Sequence, residues 1–315
     1  MELPPALRQA VDAALDGVPP SELTRASQAL SARYRSELRD GRLHLADDLA
    51  ARAYLAARLP ATYAALRSAL AAVVALRPDF APRSLLDFGA GPGTALWAAR
   101  DCWPDLAAAE LIEASAPIRR WGERMAAELS GLALVWRDDT VGSQPRDLVT
   151  VSYVLDELEA KARRVLIDRL WAMTGDTLLI VEPGTPAGWQ RILEARARLL
   201  SAGAHLLAPC PHAQACPLQA PDWCHFSRRV ARSRAHLQAK DAEVPWEDEK
   251  FIYLAVSRFA GTAPAARVIA PPRKGSGKVE LKLCRGEGTA GLWLFTRREG
   301  ERFKEVRRAD WGDAL

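Results

Sequence analysis

The chain has no long hydrophobic run. No apolar stretch reaches the roughly eighteen residues that a membrane-crossing helix needs, which predicts a soluble protein. Nor does it open on an address: Met-Glu-Leu-Pro-Pro carries an acid, with neither an apolar signal core nor an Arg-rich amphipathic start, so the expected home is cytoplasmic. Disulfides are rare in a reducing compartment, so the five cysteines are expected as free thiols or metal ligands. A compact C-x2-C pair of the zinc-ribbon type is also missing.

What is present is globular. The 315 residues are 49% hydrophobic and 26% charged, enough for one large domain or two to three smaller ones with their own cores. The heavy use of Ala and Arg hints at a GC-rich bacterial genome. The net charge of +4 is unevenly spread: residues 261–315 hold twelve Lys/Arg against seven Asp/Glu, which leaves the rest close to neutral. A basic end favours a polyanionic partner over an acidic small substrate.

Three of the five cysteines, Cys210, Cys216 and Cys224, fall within fifteen residues in a C-x5-C-x7-C spacing. Pro209, Pro211 and Pro217 stiffen the backbone around them. Thiolates gathered in this way repel one another, and a soft metal cation or an iron–sulfur cluster relieves that repulsion. The plainer alternative is three buried thiols beside a Pro-rich loop. A four-coordinate site needs one more ligand: His212 and His225 are adjacent candidates for a zinc centre, and Cys284 would complete an all-thiolate site suited to zinc or a cluster. The missing C-x2-C pair tilts the choice toward a cluster.

Residues 1–80 read as an N-terminal helical domain with helices near 4–16, 20–39, 46–57 and 61–76. Arg33, Tyr34, Arg35 and Arg39 are expected on a solvated helix face, and no catalytic constellation is expected here. From Arg83 short apolar runs alternate with helices, the pattern of a parallel sheet covered on both faces. Strands are expected at Ser84–Phe88, Ala108–Ile112, Ala133–Trp136, Leu148–Ser152, Thr177–Val181 and, after a long interruption, Lys250–Val256. The fold class is therefore α/β, a Rossmann-like sheet over residues 81–260, with a Cys-rich insertion and basic helix at 205–248. A linker leads to a small basic β-rich domain at 264–315, with strands at Lys278–Cys284, Gly291–Thr296 and Arg302–Val306.

After the first strand comes Gly89-Ala-Gly-Pro-Gly-Thr94, where absent side chains let a ligand approach the backbone at a helix start. Glu113 ends the second strand, placed to grip a ribose. Strand, loop and distant acid together resemble the class I S-adenosylmethionine-dependent methyltransferases over about residues 81–260. That resemblance implies cofactor contacts from Asp87, Gly89, Ala90 and Gly91, then Glu113, then Asp138 or Asp139. The alternative is a Rossmann-like sheet with a vestigial pocket.

Two features of that family's catalytic members are missing. Amino-methylating members carry an Asn/Asp-Pro-Pro-aromatic turn after the fourth strand, where this chain has Tyr153-Val-Leu-Asp-Glu-Leu158. No Cys stands there as a nucleophile for carbon methylation either. Tyr153, Asp156 and Glu157 lie on the correct rim, either to bind substrate or to start the next helix. Radical chemistry expects C-x3-C-x2-C, which is also absent.

Beyond the cysteines, residues 226–240 read as one helix with five Lys/Arg and no acid. Arg228, Arg232, His236 and Lys240 are four apart and would share a face, either solvated or laid against RNA phosphates. Arg273 and Lys274 add basic charge in the tail.

Taken together, Leu86-Asp-Phe-Gly-Ala-Gly-Pro-Gly-Thr94, Ser152-Tyr-Val-Leu-Asp-Glu-Leu158, Val181-Glu-Pro-Gly-Thr-Pro186, Pro209-Cys-Pro-His212, Cys216-Pro, Trp223-Cys-His-Phe226 and Asp310-Trp-Gly-Asp313 resemble the methyltransferase-like assembly factors of the mitochondrial small ribosomal subunit and their bacterial homologues. The resemblance spans nearly the whole chain. It implies a 4Fe-4S iron–sulfur cluster on Cys210, Cys216, Cys224 and Cys284, and binding to small-subunit ribosomal RNA during assembly, with no membrane partner. Two functions follow: a non-catalytic binding factor, or an active S-adenosylmethionine-dependent RNA methyltransferase. A zinc-binding RNA-binding protein is the third.

Overall fold

The computed structural model describes residues 1–35, 44–127 and 129–315. Arg39 and the end of the helix expected over 20–39 lie outside them.

Four helices come first: α1 Pro5–Leu15, α2 Pro20–Arg35, α3 Asp48–Ala57 and α4 Leu59–Leu76. Each start has a local cause. Pro5 opens α1, where its missing N–H costs nothing, and the Asp47 carboxylate accepts from Ala50 N at 2.8 Å to cap α3. α4 is long and apolar enough to cross a membrane by length and composition, which the expectation of no such run missed. It is a core helix here: Leu59, Leu66, Leu70 and Val73 are fully buried, and it packs on α5 Thr94–Cys102 and on the sheet.

The main sheet then builds in the alternation that the sequence predicts. Its strands are β1 Ser84–Phe88, β2 Ala108–Ile112, β3 Ala133–Arg137, β4 Arg146–Ser152 and β5 Thr174–Pro183, followed by β6 His205–Ala208, β7 Phe226–Ala231 and β8 Trp246–Ser257. Between them run α6 Ala116–Ala126, α7 Ala160–Ala172 and α8 Pro186–Ser201. The strand order is β3-β2-β1-β4-β5-β8-β6. The first five are parallel, and β8 runs antiparallel to both β5 and β6. This is the doubly wound order, which reverses between β1 and β4 and opens a crevice beyond the carboxyl ends of those strands.

β8 has two halves. Residues 251–257 are buried and pair with β5, with β6 on the other side over 255–257, whereas residues 246–250 reach out of the core and pair with β7. That pairing corrects the single basic helix expected over 226–240: residues 226–231 are strand, and only α9 Arg234–Lys240 is helical. Phe226 and Val230, four apart, satisfy a helix face and a strand face equally. The Ser233 hydroxyl accepts from His236 N at 3.2 Å and starts the helix afresh.

A second sheet follows, of β9 Ala266–Val268, β10 Arg273–Gly275, β11 Lys278–Arg285 and β12 Ala290–Thr296. The strand expected at Arg302–Val306 is instead α10 Glu301–Val306. Phe303 and Val306, three apart, are a helical pair, and both enter the small core with Val279, Leu281 and Phe295.

Candidate ligand pocket and cysteine cavity

The crevice holds a cavity of about 860 Å³. Gly89 and Gly91, at φ +69° and +54°, turn the chain from β1 into a loop that lines one end. A Cβ on Gly89 would stand 2.3 Å from Val154 Cγ2, so only glycine fits there. Glu113 lines the same end and is bonded into the loop: Gly91 N–H donates to Oε2 at 2.8 Å and Ser115 N–H to Oε1 at 2.7 Å. Burial raises its carboxyl above the usual range despite these bonds. A carboxylate has about four acceptor sites, so capacity is left for a ligand hydroxyl.

Asp138 also lines the cavity. Three other candidates stand back from it. Asp87 is 1% exposed behind the loop, where it accepts from Thr150 Oγ1 at 2.7 Å, and burial pushes its carboxyl up to about 7. Ala90 is buried, with its N–H on Ile112 O at 3.0 Å. Asp139 accepts from Val141 N at 2.8 Å in a local turn.

Most of the far walls come from segments to which the sequence assigned no site; Arg232 and Lys240, expected as RNA contacts, are the exceptions. Ser27 and Tyr34 of α2, Tyr54 of α3, Arg58 between α3 and α4, and Thr62 of α4 all line the cavity, as do Arg232, Ala239 and Lys240 around α9. Tyr34 is therefore a wall residue rather than part of a solvated face, and Arg33 Nε donates to His44 Nδ1 at 3.2 Å. α2, α3 and α9 are held together by a satellite core of Leu23, Ala53, Ala56, Ala57 and Ala239. Thr24 Oγ1 adds a bond to Gln238 O at 2.8 Å. Amphipathic spacing shows that such helices bury one face but not what that face meets, which is why these residues escaped notice.

At the end of β4, Tyr153 sits at φ +56°, a conformation that non-glycine residues seldom hold without support. Its hydroxyl donates to Glu249 Oε1 at 2.9 Å, and Arg58 Nη2 pairs with the same oxygen at 3.4 Å. Asp156 and Glu157 follow in a 3-10 turn at the cavity rim. Burial and the neighbouring Asp156 push the Glu157 carboxyl up to about 8.

The basic stripe expected on 226–240 does not form. Arg232 Nη2 and Lys240 Nζ bind Glu247 Oε2 at 3.0 and 2.5 Å, and fully buried His236 lies 3.3 Å from Oε1. Burial opposes ionisation of Glu247, yet its bonds to His236 and Lys240 hold the carboxyl well below the usual range. Arg228 on β7 and Lys274 on β10 have exposed side chains, and Arg273 is exposed beside Glu280 at 2.9 Å.

Cys210, Cys216, Cys224 and Cys284 line a second, small cavity between α8, β8 and the tail sheet. All are free thiols. Burial first, then the neighbouring thiols, pushes the Cys284 thiol up to about 12 and raises Cys224 as well. Among the described residues no three His, Cys, Asp or Glu side chains are gathered as a site for one metal ion. Arg196 Nη2 donates to His212 O and Gln214 O, both at 2.7 Å, and Arg267 Nε to Pro209 O at 2.9 Å. These two buried guanidiniums pin the loop, yet Arg196 Nε and Arg267 Nη2 have no hydrogen-bond partner. His212 lies in this cavity, 3.5 Å from Cys284 Sγ. His225 is outside it, stacked on Trp223 at 5.2 Å and edge-on to Trp311 at 5.0 Å.

A doubly wound sheet closed by a reversed strand, with a glycine loop after β1 and an acid after β2, defines a methyltransferase-like Rossmann protein. The chain belongs to the Rsm22 family: the profile described as mitochondrial small ribosomal subunit Rsm22 matches residues 48–315. It is 30% identical over 290 residues to the ribosome assembly protein METTL17, mitochondrial, of Homo sapiens, across 83% of this chain and 61% of that protein. The Rsm22-cox11 tandem protein 2, mitochondrial, of Schizosaccharomyces pombe is 24% identical over 332 residues, across 83% of this chain and 42% of that protein. The chain thus spans less than two thirds of either relative.

Solved structures similar to it include an O-methyltransferase family protein from Burkholderia thailandensis, with a TM-score of 0.47, 15% identity, and coverage of 77% of this chain and 72% of that chain. The magnesium protoporphyrin IX methyltransferase from Synechocystis with bound SAM has a TM-score of 0.42, 13% identity, and coverage of 76% of this chain and 97% of that chain.

Proposed function

We propose that the protein is a factor in assembly of the small ribosomal subunit, acting in the cytoplasm, which binds small-subunit ribosomal RNA and holds a 4Fe-4S cluster on Cys210, Cys216, Cys224 and Cys284. Family membership and the likeness to a ribosome assembly protein support the ribosomal part. The observation that carries the rest is the cysteine cavity, which a tail residue, Cys284, lines together with three cysteines from residues 210–224.

The donor set fits an anionic group. Burial raises the Cys210, Cys224 and Cys284 thiols, so their thiolates call for a bound cation, and the unpartnered N–H groups of Arg196 and Arg267 would offset the negative charge of a thiolate-ligated cluster. Each cysteine of a cluster ligates a different iron, so the thiols need not converge on one point. Bound there, the cluster supplies a covalent tie between the tail sheet and the body. Zinc on the same thiols is the alternative. S-adenosylmethionine would take the end of the large cavity at Gly89, Gly91, Glu113 and Asp138. A second reading, an active ribosomal RNA methyltransferase, is favoured by one feature: the cavity continues from that end to the strained Tyr153.

The test is anaerobic purification with iron, sulfide and zinc analysis, joined to RNA binding. Brown protein with about four irons per chain is expected. Cys284→Ser should lose the cluster, expose the tail to proteolysis and weaken binding to small-subunit ribosomal RNA. Colourless protein with stoichiometric zinc overturns the cluster; unchanged RNA affinity in Cys284→Ser overturns the clasp. Calorimetry with S-adenosylmethionine, followed by single-turnover methyl transfer, separates a binding factor from an enzyme.

A further inference from the structure

The tail sheet ends on an open edge. β12 pairs with β11 along one side, and no described residue makes a backbone hydrogen bond to its other side. Arg285 N–H donates to Thr289 O at 2.8 Å and Arg297 N–H to Gly277 O at 3.0 Å, which sets the alternation of the antiparallel ladder. Gly291, Trp293 and Phe295 therefore turn their N–H and C=O toward β11, and Ala290, Leu292 and Leu294 turn theirs outward. Thr296 belongs to the outward set, and its N–H is taken by Glu299 Oε1 at 2.7 Å, as that parity requires.

Natural edges are usually blunted by a charge, a proline or a bulge. β12 has none of these. Its sequence, Ala-Gly-Leu-Trp-Leu-Phe-Thr, is uncharged, and its register with β11 runs unbroken from Thr296 to Ala290. Leu292 and Leu294, 58% and 57% exposed, stand on one face of the strand beside those unpaired groups. We propose that β12 is the docking edge for an extended segment of a partner protein, apolar at alternate positions and acidic at its flanks.

The flanking charges select that occupant. Arg285 precedes the strand, stacked on Trp293 at 5.4 Å and paired with Glu287 at 3.1 Å. Exposed Arg297 and Arg298 follow it, and Arg302 lies over Phe295 at 5.3 Å. Acids flanking the added strand meet these cations. A second copy of the chain in antiparallel register brings Arg297 and Arg298 toward the partner's Arg285 end, setting like charges together. Nucleic acid offers neither a peptide ladder for the outward N–H and C=O groups nor apolar cover for the leucines. Strand addition supplies both.

The test uses the full chain and a fluorescent peptide of alternating valine and serine flanked by glutamates, read by anisotropy against the same peptide flanked by lysines. The acidic peptide is expected to bind at least tenfold more tightly and to protect the Leu292 and Leu294 amides from hydrogen exchange. Leu294→Pro removes an outward N–H while leaving the ladder to β11 intact, and should weaken binding at least tenfold with an unchanged circular dichroism spectrum. Leu292→Ser combined with Leu294→Ser should do the same by removing the apolar cover without altering the backbone or the charge. No binding, equal binding of the basic peptide, or binding untouched by both variants overturns the proposal. A wild-type dimer that Leu294→Pro dissociates also overturns it, because the edge then serves a second copy.

Discussion

The Tyr153 hydroxyl donates to Glu249 Oε1 at 2.9 Å, joining the end of β4 to the outer half of β8 across 96 positions of sequence. Arg58 shares that oxygen at 3.4 Å and places its guanidinium 5.8 Å from the centre of the tyrosine ring. Three segments that fold as separate elements therefore meet on one carboxylate at the cavity wall, beside the left-handed backbone of Tyr153.

Tyr153→Phe should cost about 1 kcal/mol, the net value of one hydrogen bond. Glu249→Gln should cost more, about 2 kcal/mol, because Arg58 then lacks its counter-charge in a mostly buried position. Urea unfolding of the two variants and the double variant measures both effects and their coupling.

Gly89→Ala and Gly91→Ala separate clash from strain. Both residues have positive φ, but only at position 89 would the new methyl meet Val154, at 2.3 Å; nothing lies within 4 Å of it at position 91. The first should lose about 2–3 kcal/mol of stability together with any S-adenosylmethionine binding, and the second only about 1 kcal/mol. Thermal unfolding and calorimetry check the pair.

Stability should fall as pH rises from about 4 to about 7. Asp87 is pushed up to about 7 by burial, so in that window the folded chain keeps a proton that the unfolded chain has released. Above the window both states are ionised and the loss is complete. Asp87→Asn, which still accepts from Thr150, should flatten this limb by on the order of 2 kcal/mol. Glu247 acts in the opposite sense: its depressed carboxyl stabilises the fold above the unfolded value, near 4, and that support is lost as pH falls further. Urea midpoints of wild type and the Asn variant from pH 3 to 8 resolve the two limbs.

RNA contacts should follow exposure rather than sequence spacing. Lys240 is held by Glu247 at 2.5 Å, so Lys240→Ala should change affinity for small-subunit ribosomal RNA less than twofold. Lys274 is exposed on β10, and Lys274→Ala should weaken binding and reduce the salt slope by about 1. Titrations at several salt concentrations read both.

The strands of the main sheet were legible because a strand buried on both faces leaves a short apolar run, as in Leu85-Leu86 and Leu178-Leu-Ile-Val181. The glycine loop was legible because a positive φ and the close approach of Val154 demand glycine there, and Glu113 because a residue just past the second strand faces the crevice. The roof of the cavity was not. Tyr54 and Arg58 look like any helix residues until α3 and α4 are seated against the rim. The basic run at 226–240 misled because four-residue spacing does not distinguish a helix face from alternate strand positions, and because its counter-charge, Glu247, lies beyond a turn. Cys284 was legible as the fourth thiol by residue type; its approach to the loop depends on a tail sheet whose packing no local pattern records.

The seating of α9 over the cavity bears on the order in which the protein is made. A chain leaving the ribosome has α2, α3, α4 and the glycine loop long before Arg232, Ala239 and Lys240 emerge, and β8 must still slide between β5 and β6 to anchor that hairpin. Until then the chamber lacks the wall that α9 contributes. A ligand of that chamber would meet its full set of walls only in the finished chain, so occupancy would mark copies whose synthesis has run past β8.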